Sequence, residues 1–146
     1  MSVPDSAVSI ELEIPFHDID AMHVVWHGHY FKYLEIARCA LLSAYDLDPL
    51  VVRDLGYAMM IAESRIKHLF PMRYGERLKV TCWFVDVEHR LNVHYELYNL
   101  SAKKRCAVAS TVMVTVDPKG ALCFSTPEVM RQRLPKVVAP EPGPES

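Results

Sequence analysis

Residues 17 to 35, HDIDAMHVVWHGHYFKYLE, concentrate three acids and four histidines: His17, Asp18, Asp20, His23, His27, His29 and Glu35. A carboxylate in such a segment can attack a carbonyl carbon or deprotonate water. An imidazole, with an ordinary pKa of about 6.5, is largely neutral at physiological pH and can position either partner. Metal binding is the competing reading. On a helix, His23 and His27 at i and i+4 would share a face, with Asp20 as an oxygen ligand. The apolar Val24 and Val25 between them and the lack of a His-Glu-x-x-His pattern argue against it, so no metal is expected. The plainer role for any of these side chains is hydrogen bonding to nearby loop backbone.

The elements that must hold this segment are readable on both sides of it. In VSIELEIPF, Val8, Ile10, Leu12 and Ile14 alternate with polar residues up to Pro15, which predicts a strand with one buried face. From Gly28 to Tyr45, Tyr30, Tyr33, Leu34, Ala37, Leu41 and Ala44 recur every three or four residues, the spacing of one long helix. Lys32, Glu35 and Arg38 fall on its outer face or edge. In DPLVVRDLG, Asp48 is placed to cap a short helix that starts at Pro49 and stops at Gly56. Beyond it the period shortens to two, predicting strands near 57–70, 76–88, 90–99 and 104–117. In the third of these, Leu91, Val93, Tyr95 and Leu97 share one side, and Asn92, His94, Glu96 and Tyr98 the other. The expectation is an α+β domain whose antiparallel sheet buries its apolar face under the long helix, with Ala37, Ala40 and Ala44 permitting close approach.

The whole chain excludes several function classes. Its 146 residues, 51% hydrophobic, suit one cooperative core. Sixteen basic against eighteen acidic residues give a formal charge of -2, so no global field draws in nucleic acid. No apolar run reaches the roughly 18 residues of a membrane span. Cys39, Cys82, Cys106 and Cys123 lack the paired spacing of a zinc knuckle, and the amino terminus lacks the pattern of a secretory signal. These features predict a cytoplasmic domain over 1–138, with a loose proline-rich tail over 139–146.

The segment FHDIDAMHVVWHGHYFKYLEIAR, continued by GYAMMIAESRIKHLFPMRYGERLKV and TVMVTVDPKG, resembles the hot-dog-fold acyl-CoA thioesterases. The resemblance is to the 4-hydroxybenzoyl-CoA thioesterase family in particular, and to its relatives associated with the Tol-Pal system. It implies a curved antiparallel sheet wrapped around one long central helix, and homodimers or homotetramers with active sites between subunits. It also implies hydrolysis of an acyl or aryl thioester to a free acid and coenzyme A, with no cofactor, coenzyme A being part of the substrate.

In that family the essential carboxylate matches Asp20, which serves as nucleophile or general base. His27 matches the start of the central helix, where a backbone N–H polarises the thioester carbonyl. Trp26, Tyr30 and Tyr33 offer aromatic surface to the acyl group or to core packing. His23 stands where many relatives carry glycine, and narrows the acyl pocket or lies beside it. His29 stands where asparagine is frequent and helps hold the helix start. Family members bind the nucleotide on an exposed basic surface, for which Arg90, Lys103, Lys104 and Arg105 are candidates, with Arg131, Arg133 and Lys136 as a second patch. Asp18 is expected to hold the loop, and Glu63 to pair with Arg65 or a partner strand. Two other functions suit the same residues: a hot-dog dehydratase of 3-hydroxyacyl thioesters, and a noncatalytic module that binds an acyl thioester or an acyl carrier protein.

Overall fold

A computed structural model describes residues 3–137; the proline-rich tail lies outside the described residues. Strand β1 spans Val8–Glu13. A 3-10 turn at Phe16–Asp18 and another at His27–His29 lead into helix α1, Tyr30–Ala44, which is followed by the short helix α2, Pro49–Asp54. Strands β2 (Ala58–His68), β3 (Arg77–Asp86), β4 (Leu91–Asn99) and β5 (Lys104–Val116) complete the sheet, and α3 is a single turn at Glu128–Arg131. The strands pair antiparallel in the order β1-β3-β4-β5-β2, and the long helix covers one face in the hot-dog arrangement.

Period-two alternation drives the sheet. Leu91, Val93, Tyr95 and Leu97 of β4 are buried against Leu78, Val80, Cys82 and Phe84 of β3. Helix α1 turns Tyr30, Tyr33, Leu34, Ala37 and Leu41 inward; each large apolar side chain so buried contributes about 1.5–3 kcal/mol. The close approach expected of three alanines is made by one. The Ala37 carbonyl accepts from the Cys82 thiol at 3.4 Å, whereas Ala40 is half-buried and Ala44 exposed. Helix α1 also begins with a 3-10 turn in place of the α-turn expected from Gly28, a common way to tighten a helix start.

At α2, Asp48 caps the helix by accepting from the N–H groups of Leu50 at 2.8 Å and Val51 at 3.1 Å, and Gly56 ends the segment at φ 95°. After α2 the chain crosses to the far edge of the sheet, so β2 pairs with β5 and not with its sequence neighbour β3. All four cysteines are free thiols. No described helix is long and apolar enough to cross a membrane.

Candidate active site

The acid-rich loop is fastened from below by Asp18. The 3-10 turn at Phe16–Asp18 points Asp18 inward, so Asp20 does not share its environment. The Asp18 carboxylate, 1% exposed, accepts from Lys32 Nζ at 2.7 and 2.8 Å and from the Tyr33 hydroxyl at 2.5 Å. Its main-chain carbonyl accepts from the Trp26 N–H at 3.0 Å, tying the two ends of the loop together. Burial pushes the Asp18 carboxyl up, but the Lys32 and Tyr33 hydrogen bonds, with the charges of Lys32 and His29, outweigh it and hold it below its ordinary value. Burial first, and then Asp18, push the Tyr33 phenol up, so it remains a donor. Of the two roles expected of Tyr33, acyl surface or core packing, its position matches the second: the side chain is 1% exposed and its hydroxyl donates to Asp18.

Above this anchor the loop closes on itself. Ile19 and Val25 form an isolated bridge, Asp20 N–H donates to the Val24 carbonyl at 2.9 Å, and His23 N–H donates to the Asp20 carbonyl at 3.0 Å. Asp20 Oδ1 accepts from Met22 N–H at 2.8 Å, while Oδ2 accepts no hydrogen bond among the described residues. His23 takes φ 65°, the left-handed conformation that glycine adopts without penalty. It therefore shapes the backbone of the turn, with its side chain exposed.

The helix start supplies the donors. Val25 is buried and its N–H donates to the Met72 carbonyl at 2.8 Å. The Trp26 ring lies over Gly28 so closely that a Cβ there would fall 2.2 Å from Cζ3, and it meets the His27 and His29 rings at 5.1 and 5.4 Å. His27 opens the 3-10 turn, so its N–H and that of Gly28 have no acceptor within that turn.

Beside them is a cavity of about 310 Å³, walled by Val25, Tyr30, Leu69, Phe70 and Pro71, with His27 and His68 also lining it. The His68 and Tyr30 rings meet edge to face at 4.7 Å. His68 is exposed, yet partial desolvation by its neighbours, and secondarily His27, hold its imidazole below its ordinary pKa, whereas burial is the main cause that pushes the Tyr30 phenol up to about 12. His68 carried no motif to mark it in the sequence. Only the pairing of β2 with β5, which sets His68 opposite Ala107, carries the end of β2 to the helix start.

Thus His27 and Tyr30 line the cavity, while Asp20, His23 and Trp26 do not. The basic candidates separate. Lys104 Nζ lies 4.6 Å from the centroid of the cavity-lining Phe70. Arg90 sits at the opposite end of β4, whose nine residues span about 30 Å, so one anion cannot meet both in a single chain. Arg131 is paired with Glu88 and Glu128, and Arg133 donates to the Asp46 carbonyl. Glu63 pairs with Arg65 as expected.

A larger hollow, about 670 Å³, is lined by Arg65, Lys67, Trp83, His94, Glu96 and Arg105. It lies on the outer face of the sheet: Tyr95 points toward Arg38 of α1, so its neighbours His94 and Glu96 point away from the helix. Chemistry, more than size, separates the two hollows. Arg65 is paired with Glu63, Arg105 lies 3.9 Å from Glu96, and no helix start among the described residues lines the hollow.

Residues 14–134 match the sequence model of the thioesterase-like superfamily. The chain belongs to that superfamily. It is a hydrolase of the thioesterase type in a hot-dog fold. A Synechocystis sp. protein provisionally named an esterase is 24% identical over 138 residues, covering 93% of this chain and 83% of its own. The L-carnitine dehydrogenase/betainyl-CoA thioesterase of Agrobacterium fabrum is 28% identical over 127 residues, 83% of this chain but 26% of that one. Among solved structures, the 1,4-dihydroxy-2-naphthoyl-CoA thioesterase of Synechocystis superposes with a TM-score of 0.75 at 20% identity, covering 88% of this chain and 95% of the other. At that identity the superposition speaks for the fold of this superfamily member. Among its described residues, no three His, Cys, Asp or Glu side chains group as metal ligands would.

Proposed function

We propose that the protein hydrolyses an acyl or aryl thioester of coenzyme A. The observation that carries this reading is the helix start at His27, whose N–H lacks a partner in its turn beside an apolar cavity, with the Asp20 turn adjoining it. A thioester oxygen placed against the His27 N–H has its developing negative charge stabilised by that donor and by the amino end of α1. Asp20 then acts on the carbonyl carbon in one of two ways. Direct attack expels the thiolate and forms a mixed anhydride, which water then hydrolyses to the free acid and Asp20; activation of water instead adds hydroxide to the carbonyl carbon, and collapse expels the thiolate and leaves the free acid. Trp26 and Tyr30 shape the entrance and wall, and Lys104, with Lys103 next to it in the chain, favours the anionic nucleotide of coenzyme A, whereas Arg105 turns to the outer face beside Glu96.

The functional unit in this proposal is at least a homodimer. Strand β2 pairs only with β5 among the described residues, and its eleven residues are mostly exposed, Met60 at 55% and Ile61 at 43%. A long exposed edge of this kind is stabilised by pairing. Antiparallel pairing with a second copy would bring the amino end of that copy's β2 toward the helix-start cavity.

The deciding experiment is a panel of acyl-CoAs and acyl carrier protein thioesters varied in chain length, branching and aromaticity, read by release of free thiol and free acid across a dilution series. Thiol release that falls as the dimer dissociates is the expected result. An enoyl thioester with its carrier intact would replace hydrolysis by dehydration, and binding without turnover across the panel would make the protein a carrier of thioesters. Full turnover by a monomer would remove the dimer from the proposal.

A further inference from the structure

We infer that His68 is a catalytic residue of this site, its imidazole N–H donating to the thioester oxygen opposite the His27 backbone. The inference rests on the thioesterase reading above and adds a side chain from β2 to a site otherwise built by the loop and α1.

Three features of its placement carry it. His68 is the last residue of β2, and its ring faces the same cavity of about 310 Å³ as His27. The other lining residues are apolar except for Tyr30, whose phenol is strongly buried, so among the described residues His27 and His68 are the imidazole-bearing residues that line this cavity. The edge-to-face contact with Tyr30 at 4.7 Å fixes the plane of the His68 ring, and a donor held before the reaction need not reorganise as charge develops. Neither imidazole is in an ion pair among the described residues, so no carboxylate competes for the N–H.

The His68 side chain is exposed, and partial desolvation by its neighbours still favours the neutral form, which retains one N–H donor and one lone pair. As an oxygen of Asp20 or of water adds to the carbonyl carbon, the π electrons move onto the carbonyl oxygen, which then accepts from His68. When that oxygen re-forms its double bond, the thiolate of coenzyme A leaves. His68 gains and loses no proton in this cycle, and a second donor reaches the oxygen from a different element than the first.

The test compares His68→Phe, which keeps a ring against Tyr30 but has no donor, with His68→Asn and His68→Gln, which keep an N–H. Folding and subunit state are first matched to the parent. We expect His68→Phe to lower kcat by about 10² with KM changed less than about threefold, and at least one amide variant to recover about tenfold of the loss. In the parent protein, binding of a nonhydrolysable ketone analogue of an acyl-CoA should shift the His68 N–H resonance downfield. Full turnover by His68→Phe, a rise in KM at unchanged kcat, amide variants slower than Phe, or an unmoved resonance each overturns the assignment. If Asp20→Asn is inactive while His68→Phe is fully active, the thioesterase reading stands and only the His68 role falls. If the parent releases no thiol from any acyl-CoA, both fall.

Discussion

The two hollows of this protein differ in the opposite sense to their size. The outer-face hollow has about 670 Å³ and most of the charge, yet Arg65 and Arg105 each already have an acid beside them. The helix-start cavity has about 310 Å³ and little charge, but it adjoins N–H groups whose acceptors are missing by the geometry of a helix start. Volume records how strands twist and where side chains are short. Reactivity needs donors and acceptors whose bonding capacity is unspent, and those collect where secondary structure ends. The same contrast separates two acids two residues apart: Asp18 is fully engaged and holds structure, while Asp20 keeps one oxygen without a partner among the described residues.

The sharpest way to break this contrast is Asp20→Asn. The substitution keeps the Oδ1 acceptor that bonds Met22 and removes the negative charge. Turnover is expected to fall by about 10²–10⁴, with binding of a nonhydrolysable analogue and thermal stability nearly unchanged. Near-parent turnover would move the chemistry away from Asp20, and a parallel loss of analogue binding would make it an organiser of the pocket.

Asp18→Ala should give the reverse pattern. It strands the Tyr33 hydroxyl in the core and frees Lys32, which is partly exposed and can turn to water, so the loss is set at about 3 kcal/mol, the low end for a broken buried pair. Denaturant unfolding measures it. Because the folded-state pKa of Asp18 is depressed, its contribution is fully present above the unfolded value of about 3.9 and is lost as the pH falls through the folded value. The parent should therefore lose more stability than the variant on acidification below about pH 4, and equal acid slopes would contradict the buried pair.

The smallest effects compare the basic groups of the two hollows. Lys104→Ala should raise KM for an acyl-CoA about fivefold, the worth of about 1 kcal/mol at an exposed charge, and leave KM unchanged for a thioester lacking the nucleotide. Arg65→Ala in the outer hollow should change neither KM by more than about twofold. A larger effect from Arg65 than from Lys104 would place the nucleotide on the outer face.

Much of the architecture was legible because it is local. The period-two runs of β1 and β4, the helical spacing from Tyr30 to Leu41 and the Asp48-Pro49 start of α2 each report burial or capping within a few residues, and each element lies where its pattern placed it. The role of Asp18 as the loop's anchor was legible in kind, since two acids so close in the chain need not share one task. Its partners, Lys32 and Tyr33, were not. They come from a helix turn fourteen and fifteen residues on, and Tyr33, read as either acyl surface or core packing, is part of the clamp.

By itself, then, the sequence determined which segments become strands and helices, and it gathered Asp20 and His27 on one loop before one helix, because hydrophobic period and turn chemistry act over short distances. Tertiary structure alone decided that β2 crosses to the far edge beside β5, and with that crossing it brought His68 to the helix start and Lys104 over Phe70 while leaving Arg90 at the other end of the sheet. The physical reason is that strand order is set by which apolar faces bury one another across the whole sheet, a long-range choice that no local pattern of side chains encodes.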